Sequence, residues 1–207
     1  MCTTVGVEQF AQDSPVFASG YDPDFLSPAN LPTHSLCASL EIETPSYTPT
    51  LLPHGAQLVS AAGKPLGAVL LHTPGHTPDE IALWDEAETM LYVGDTLYER
   101  APIIFPNEGS VVRWCATVDQ LVKFIEASGK GAQARISCGH ETAMGDALDV
   151  LHTTKAFMWD VIDGREPVKR RMTRRGEEFV EYVQDGGRYS LICPERLIKE
   201  ARGAVQC

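Results

Sequence analysis

Three short segments of this chain each carry a side chain that could ligate a metal ion. They read TPGHT, YVGDT and ISCGHE, and the candidate ligands are His76, Asp95 and His140. Each ligand lies beside a glycine, whose backbone can turn where other residues are strained. Two imidazoles and one carboxylate suit a borderline-soft ion such as zinc, and three protein ligands leave a coordination position open for catalysis.

Each candidate ligand follows a stretch that predicts a β-strand. These apolar stretches are residues 67–71, 90–93 and 134–138. Strands that end in loops place side chains on a rigid support, which a metal site requires. Residues 96–109 contain two prolines and are predicted to be a long loop over the site.

The remaining pattern predicts helices and a hairpin around those strands. Thr117 and Gln120 have capping-box spacing and an apolar stripe follows, which predicts a helix that ends at Ser128. Residues 146–162 and 195–202 also have helical periodicity, and Asp185-Gly186-Gly187 predicts a hairpin. The proline density of residues 11–54 predicts short elements in irregular loops.

In this order and spacing the three motifs resemble the C-terminal half of the metallo-β-lactamase superfamily, over roughly residues 5–145. The resemblance implies an α/β fold, the αββα sandwich of that superfamily. Members carry an upstream His-x-His-x-Asp-His motif that supplies most of the other metal ligands, and this sequence contains no such motif. The resemblance therefore implies a sandwich that is incomplete at the N-terminus, in a chain that begins just after its own metal-binding loop.

The resemblance also assigns roles to the candidate ligands. His76 would complete the first of two zinc sites, Asp95 would bridge the ions as the catalytic carboxylate, and His140 would complete the second site. A metal-held hydroxide would then attack a carbonyl carbon. Candidate substrate contacts, for which ordinary loop packing is the alternative, are Tyr98, Arg100 and Phe105.

Other chemically capable side chains have an ordinary structural interpretation. Cys138 lies in a predicted strand, where a buried thiol is expected. Asp79 and Glu80 are expected to be solvated acids, with support of a metal ligand as the alternative. His34 and His54 lie in proline-rich loops and are expected to be solvated rather than to act as replacement ligands.

Within the superfamily, Cys-Gly-His-Glu and Gly-Asp-Thr-Leu most resemble hydroxyacylglutathione hydrolases and related thioesterases. This resemblance predicts zinc-dependent hydrolysis of a small acyl substrate, a thioester or an ester, with a lactonase or β-lactamase-like hydrolase as the alternative.

The basic cluster 169–175 is predicted to be solvated or partner-facing, or to capture a phosphate or carboxylate of the substrate. Because half of the family's ligands are missing, weak zinc binding and little turnover are expected. The alternative is a non-catalytic remnant or a regulatory isoform.

Composition indicates one main hydrophobic core in 207 residues, of which 43% are hydrophobic. The predicted division is a partial metallo-β-lactamase-like domain at 1–163. The basic segment, hairpin and short helix of 164–207 are predicted to pack on it. Six cysteines without C-x-x-C spacing predict reduced thiols and a cytoplasmic protein.

Charge and hydropathy restrict the partners. Residues 1–114 carry three basic side chains against fourteen acids, and this half accounts for the whole net charge of −11. An acidic half repels phosphate backbones, so no nucleic-acid partner is expected. Hydrophobic runs are too short for a membrane partner. A sandwich that lacks its first half would expose a sheet edge, which predicts a homodimer through that sheet.

Overall fold

Twelve strands and five α-helices are present in the computed structural model, which describes residues 6–174 and 176–205. The strands are β1 (Phe17–Ser19), β2 (Thr50–Leu52), β3 (Ala56–Val59), β4 (Pro65–His72), β5 (Ile81–Asp85), β6 (Met90–Tyr92), β7 (Pro102–Ile104), β8 (Arg135–Ser137), β9 (Gly145–Asp146), β10 (Arg170–Arg174), β11 (Glu177–Val183) and β12 (Ser190–Pro194). The helices are α1 (Glu8–Ala11), α2 (Leu31–His34), α3 (Val111–Ala127), α4 (Ala147–Ile162) and α5 (Glu195–Val205), with a 3-10 helix at Cys37–Leu40.

The largest sheet brings the ends of three separate strands to one edge. Its order is β3-β4-β5-β6-β8-β9. β4 and β6 are both antiparallel to β5, which lies between them, and β6 is parallel to β8. β4, β6 and β8 therefore run in the same direction, and the loops that follow them meet at the same edge of the sheet.

A second sheet, in the order β10-β11-β12-β7, joins the C-terminal part of the chain to the middle. β7 lies within residues 96–109, so the prediction of a loop there was wrong over Pro102–Ile104. Its only hydrogen-bonded neighbour in the described residues is β12, in parallel register. Because β7 pairs with a segment that is distant in the sequence, no local sequence pattern predicts it. The strand is also only three residues long.

Helix α3 begins earlier than its sequence pattern predicts. The Ser110 side chain accepts a hydrogen bond from the Arg113 backbone N–H and caps the helix, which starts at Val111. Thr117 is inside the helix, where its hydroxyl donates to the Pro74 carbonyl oxygen at 2.6 Å. The capping-box spacing was therefore misleading at the start of the helix, whereas its end beside Ser128 is confirmed.

The main hydrophobic core contains residues from the six-stranded and four-stranded sheets and from α3, α4 and α5, with Trp114, Tyr189 and Phe157 among its largest fully buried side chains. A small second cluster contains Ala18, Phe25, Leu26 and Leu31. The α/β class is confirmed. The thiols of Cys37, Cys115, Cys138 and Cys193 are free. None of the helices in the described residues combines the length and apolar character that crossing a membrane requires.

Candidate functional site

The three candidate ligands line one cavity of about 380 Å³. They come from the loops that follow β4, β6 and β8, the three strands whose ends share one edge of the large sheet. Tyr98 and Phe105 line the same cavity. Five of the six residues that the sequence singles out thus line one cavity.

Arg100 is the exception among those six residues. It lines a separate concavity of about 200 Å³, together with Glu99, Glu141 and Thr142. Its backbone N–H donates to the Arg188 carbonyl oxygen at 2.7 Å, and its φ of 63° turns the chain there. The turn takes Arg100 out of the lining of the cavity that holds the other five.

Close packing brings Asp95 against the loop that carries His140. Gly139 lies between them, and a Cβ atom added to it would be 2.4 Å from Asp95 Oδ1. The backbone N–H of Gly139 donates to the Gly94 carbonyl oxygen at 2.6 Å. The glycine of this motif is therefore required by the approach of a side chain from a neighbouring motif.

His76 is buried and held by two acceptors. Its Nδ1 is 2.9 Å from Glu80 Oε2, and its Nε2 is 3.0 Å from the Ile104 carbonyl oxygen. The ring also contacts Phe105 edge to face, with 5.9 Å between centroids. Both nitrogens of His76 thus have protein partners, and neither partner is Asp95 or His140.

Glu80 connects two of the ligand loops. Besides its contact with His76, its Oε1 accepts the backbone N–H of Asp95 at 3.2 Å, and its Oε2 accepts the Thr77 hydroxyl at 3.4 Å. The side chain is 13% exposed, so the expectation of a solvated acid was wrong. Burial also raises the pKa of the neighbouring Asp79, which is likewise not a freely solvated carboxylate.

Asp95 and His140 lie side by side and are both more exposed than His76. Asp95 Oδ1 is 3.4 Å from His140 Nε2, and the Tyr98 ring packs edge-on against the imidazole at 5.1 Å. The Tyr98 hydroxyl donates to the Pro102 carbonyl oxygen at 3.0 Å. Burial, with the charge of Asp95 adding to it, raises the pKa of Tyr98 to about 12. Tyr98 therefore stays a neutral phenol at physiological pH.

These residues fit a metal ion only in part. Two donors bound to tetrahedral zinc at about 2.0–2.1 Å lie roughly 3.3 Å apart, which matches the Asp95–His140 separation of 3.4 Å. His76 does not join them, and the described part of the chain contains no group of three His, Cys, Asp or Glu side chains that could hold a metal ion. A catalytic zinc takes three protein ligands, so this set is insufficient by itself.

Cys138 does not supply the missing ligand. Burial raises the pKa of its thiol to about 12. Metals bind the thiolate, which this environment disfavours. Cys138 lies one residue beyond the end of β8, not within the strand as predicted, and its partly buried side chain packs against the hydrophobic core.

Among the other residues that line the cavity are His34, Arg174 and Phe179, and the last two are not identified individually from the sequence. His34 stacks on Phe25 with 4.2 Å between centroids, and its Nδ1 bonds the Phe25 carbonyl oxygen at 2.8 Å. His34 is therefore partly buried in the cavity wall, and its ring is held by Phe25 rather than freely solvated. The Arg174 guanidinium lies 5.6 Å from the centroid of the Phe179 ring, and both residues line the cavity. The basic cluster is a sequence signal for Arg174, although nothing local distinguishes it from its neighbours.

The middle of the chain matches a known family. Residues 57–154 match the family model of the metallo-beta-lactamase superfamily, and that range contains His76, Asp95 and His140. A metallo-beta-lactamase family protein from Thermus thermophilus has a similar structure, with a TM-score of 0.58 and 20% identity. The similarity covers 83% of this chain and 61% of that one, and it shows a shared fold.

Two further proteins are similar over most of the chain. The Aspergillus versicolor protein named "Putative transcription factor avaE" is 30% identical over 215 residues, which cover 96% of this chain and 62% of that protein. A protein solved in a di-iron-bound form is 18% identical, with a TM-score of 0.49, over 65% of this chain and 61% of its own. The chain thus spans 61–62% of the length of these relatives.

Proposed function

We propose, on the premise that residues 57–154 form a metallo-β-lactamase superfamily domain, that the cavity binds a small acyl compound, an ester or a thioester. The observation that carries the proposal is the meeting of His76, Asp95 and His140 in one cavity with Tyr98 and Phe105. Small-molecule sites are concave and mostly apolar, with a few convergent polar groups. This cavity has that composition.

Zinc-dependent hydrolysis of the bound acyl compound is the finer proposal, as in hydroxyacylglutathione hydrolases and other thioesterases. Asp95 and His140 would hold the ion, and bound zinc would supply Lewis acidity and an activated water. Since these two donors are fewer than a catalytic zinc requires, we expect weak zinc binding and slow turnover from the described residues alone. Their own contribution is to bind and orient the acyl group beside Asp95.

The alternative proposal is a non-catalytic domain that binds the same compound. One observation favours it, namely that both nitrogens of His76 are bonded to Glu80 and Ile104. A ligand to zinc has to offer an unprotonated nitrogen, and these contacts compete with that role. The two proposals share the cavity and differ in whether acyl cleavage follows binding.

Recognition of nucleic acid is not part of this proposal, although one relative carries the name of a transcription factor. In β10, Arg170 pairs with Glu181 at 2.9 Å and Arg171 pairs with Glu195 at 2.8 Å. These carboxylates partly neutralise the strand that carries the basic cluster. The remaining acidic balance of the chain disfavours a phosphate backbone.

The first test is Asp95→Ala in the 207-residue chain. We expect zinc, measured by plasma mass spectrometry after dialysis, to be substoichiometric in the unchanged protein and lower still in the variant. Hydrolysis of an acetyl thioester, measured by thiol release in the presence of zinc, should fall by at least about 100-fold, because the pair that could hold the ion is lost.

Two controls make this test decisive. Glu126→Ala removes an exposed acid on α3 and should change neither zinc content nor thiol release. Thiol release that resists both Asp95→Ala and a chelator would contradict the zinc-dependent mechanism. Saturable binding of the thioester without release would establish the non-catalytic alternative, whereas neither binding nor release would refute both.

A second prediction concerns the charge of the acyl compound. Arg174 is a cation at the cavity and is stacked on Phe179, which suits a carboxylate or phosphate on the ligand. Arg174→Ala should weaken binding of a succinyl thioester by about tenfold and binding of an acetyl thioester by less than about twofold. Isothermal titration calorimetry of both ligands measures these two affinities.

Arg170→Ala is the matched control, because Arg170 is paired with Glu181 and lies outside the cavity lining. Equal losses for the two ligands would contradict the role given to Arg174.

A further inference from the structure

A second concavity, of about 460 Å³, lies beside the start of the loop that carries His76. Its wall includes Tyr21, His54, His72, Arg113 and Gln120. It shares no lining residue with the cavity described above. Any ligand bound there would be distinct from the acyl compound.

The second concavity carries a cation, Arg113, although the first half of the sequence is acidic. Residues 1–114 contain only three Lys or Arg side chains against fourteen acids, and Arg113 is one of the three. No Asp or Glu is among the residues that line the concavity. In the part of the chain that the structure describes, Arg113 forms no ion pair with a carboxylate, so its charge remains available to a ligand.

Tyr21 holds the Arg113 side chain in place without neutralising it. Arg113 Nη1 donates to the Tyr21 hydroxyl oxygen, and the guanidinium lies 5.8 Å from the centroid of the same ring. Because the hydroxyl accepts this bond, its own hydrogen remains able to donate. The other N–H groups of Arg113 are also donors, since a guanidinium has five.

Gln120, next to His54, adds a second neutral donor. The backbone N–H of His72 donates to His54 Nδ1 at 3.0 Å, so the proton of the neutral His54 ring is on Nε2. Burial, with the neighbouring His72 adding to it, lowers the pKa of His54 and favours this neutral ring. The Gln120 amide nitrogen is 3.4 Å from His54 Nε2. Two N–H groups cannot form a hydrogen bond with each other, so the Gln120 amide is assigned the flipped orientation, in which its oxygen accepts from His54 Nε2–H. The NH₂ group of Gln120 is then free to donate to a ligand.

We propose that this concavity is a binding site for an oxyanion, the carboxylate or phosphate group of a small molecule. Arg113 supplies the charge, and Tyr21 and Gln120 supply neutral donors beside it. Charge-assisted hydrogen bonds from a guanidinium to an oxyanion are among the stronger polar contacts in proteins. The rings of Tyr21 and His72, which meet edge to face at 5.8 Å, form an aromatic wall for the rest of the ligand.

Nuclear magnetic resonance titration of the full chain tests the proposal, with sodium phosphate and sodium succinate as probes at constant ionic strength. We expect saturable shifts of the Arg113 Nε–H and Gln120 NH₂ signals with at least one probe. Arg113→Gln should weaken that binding by about tenfold, read from the Gln120 signal. Lys123→Gln removes an exposed charge from the same helix and should change the affinity by less than about twofold.

The outcomes separate the two ligand chemistries from each other and from an absence of binding. Saturation by phosphate alone identifies a phosphate site, and saturation by succinate alone identifies a carboxylate site. Tyr21→Phe keeps the ring and removes the hydroxyl, and it should weaken binding by about threefold, which gives a second measurement if Arg113→Gln folds poorly. Shifts that never saturate, or equal effects of Arg113→Gln and Lys123→Gln, would overturn the proposal.

Discussion

Trp114→Ala is expected to lower the free energy of unfolding by about 4 kcal/mol, within the range for removal of a large buried ring. Trp114 is fully buried at the centre of the core. Its Nε1–H donates to the Thr96 carbonyl oxygen, directly after Asp95. A Cβ atom on Gly75 would be 2.5 Å from Trp114 Cα, so the His76 loop lies directly on this residue. The Trp114 side chain therefore contacts both the loop that carries His76 and the loop that carries Asp95.

Urea unfolding followed by far-ultraviolet circular dichroism measures this loss without relying on tryptophan emission. Trp114→Phe retains an aromatic ring but leaves the Thr96 carbonyl without its donor, and it should cost about 2 kcal/mol. Val112→Ala is the matched control on the same helix, since Val112 is 43% exposed and should change stability by less than about 0.5 kcal/mol. A loss below about 1.5 kcal/mol for Trp114→Ala would show that the core does not depend on this contact.

Glu80→Ala should have the second largest effect, a loss of about 3 kcal/mol in unfolding free energy, because hydrogen-bond partners in a mostly buried network are left unsatisfied. His76 Nδ1 loses its Glu80 partner, and the His76 and Glu80 side chains are only 6% and 13% exposed. The Asp95 backbone N–H loses its acceptor in the same variant. Affinity for the proposed acyl compound should fall about tenfold, because the loops that carry His76 and Asp95 both lose a contact that holds them in place.

Glu80→Gln separates charge from shape in this network. The amide oxygen can still accept one of the hydrogen bonds, so a loss of about 1 kcal/mol is expected. Glu88→Ala removes an exposed acid from the β5–β6 hairpin and should be nearly neutral. Urea titration of the three variants at one pH gives the ranking, and equal stability of Glu80→Ala and Glu88→Ala would contradict the structural role of Glu80.

Secondary structure could be predicted where it rests on local pattern. The hairpin at Asp185-Gly186-Gly187 and helix α4, which Asp146 caps by accepting the Asp149 N–H, were correctly predicted. Both depend on side chains within a few residues of each other. β7 was missed because it depends on pairing with β12, which is distant in the sequence. The start of α3 was missed because Ser110 caps the helix, whereas the capping-box spacing of Thr117 and Gln120 predicted a later start.

Residues of the candidate site could likewise be predicted where a local pattern marks them, and could not be predicted where their role depends on distant contacts. His76, Asp95 and His140 could be chosen because each follows an apolar run beside a glycine, and residues 57–154 match the superfamily that these motifs resemble. Glu80 and Arg174 could not be identified as site residues on comparable sequence evidence. Their roles depend on what they meet across the fold, namely the Asp95 loop and the Phe179 ring.

By itself, the sequence determined the class of fold, three candidate ligand positions and the acidic balance of the first half, since each depends on residue types and on their spacing along the chain. Only the tertiary structure decided which of these groups act together. Parallel strand ends bring His76, Asp95 and His140 to one cavity, yet β7 presents the Ile104 carbonyl to His76 and leaves Asp95 and His140 as a pair. Metal binding depends on distances between donors, and those distances arise from sheet pairing between segments far apart in the chain.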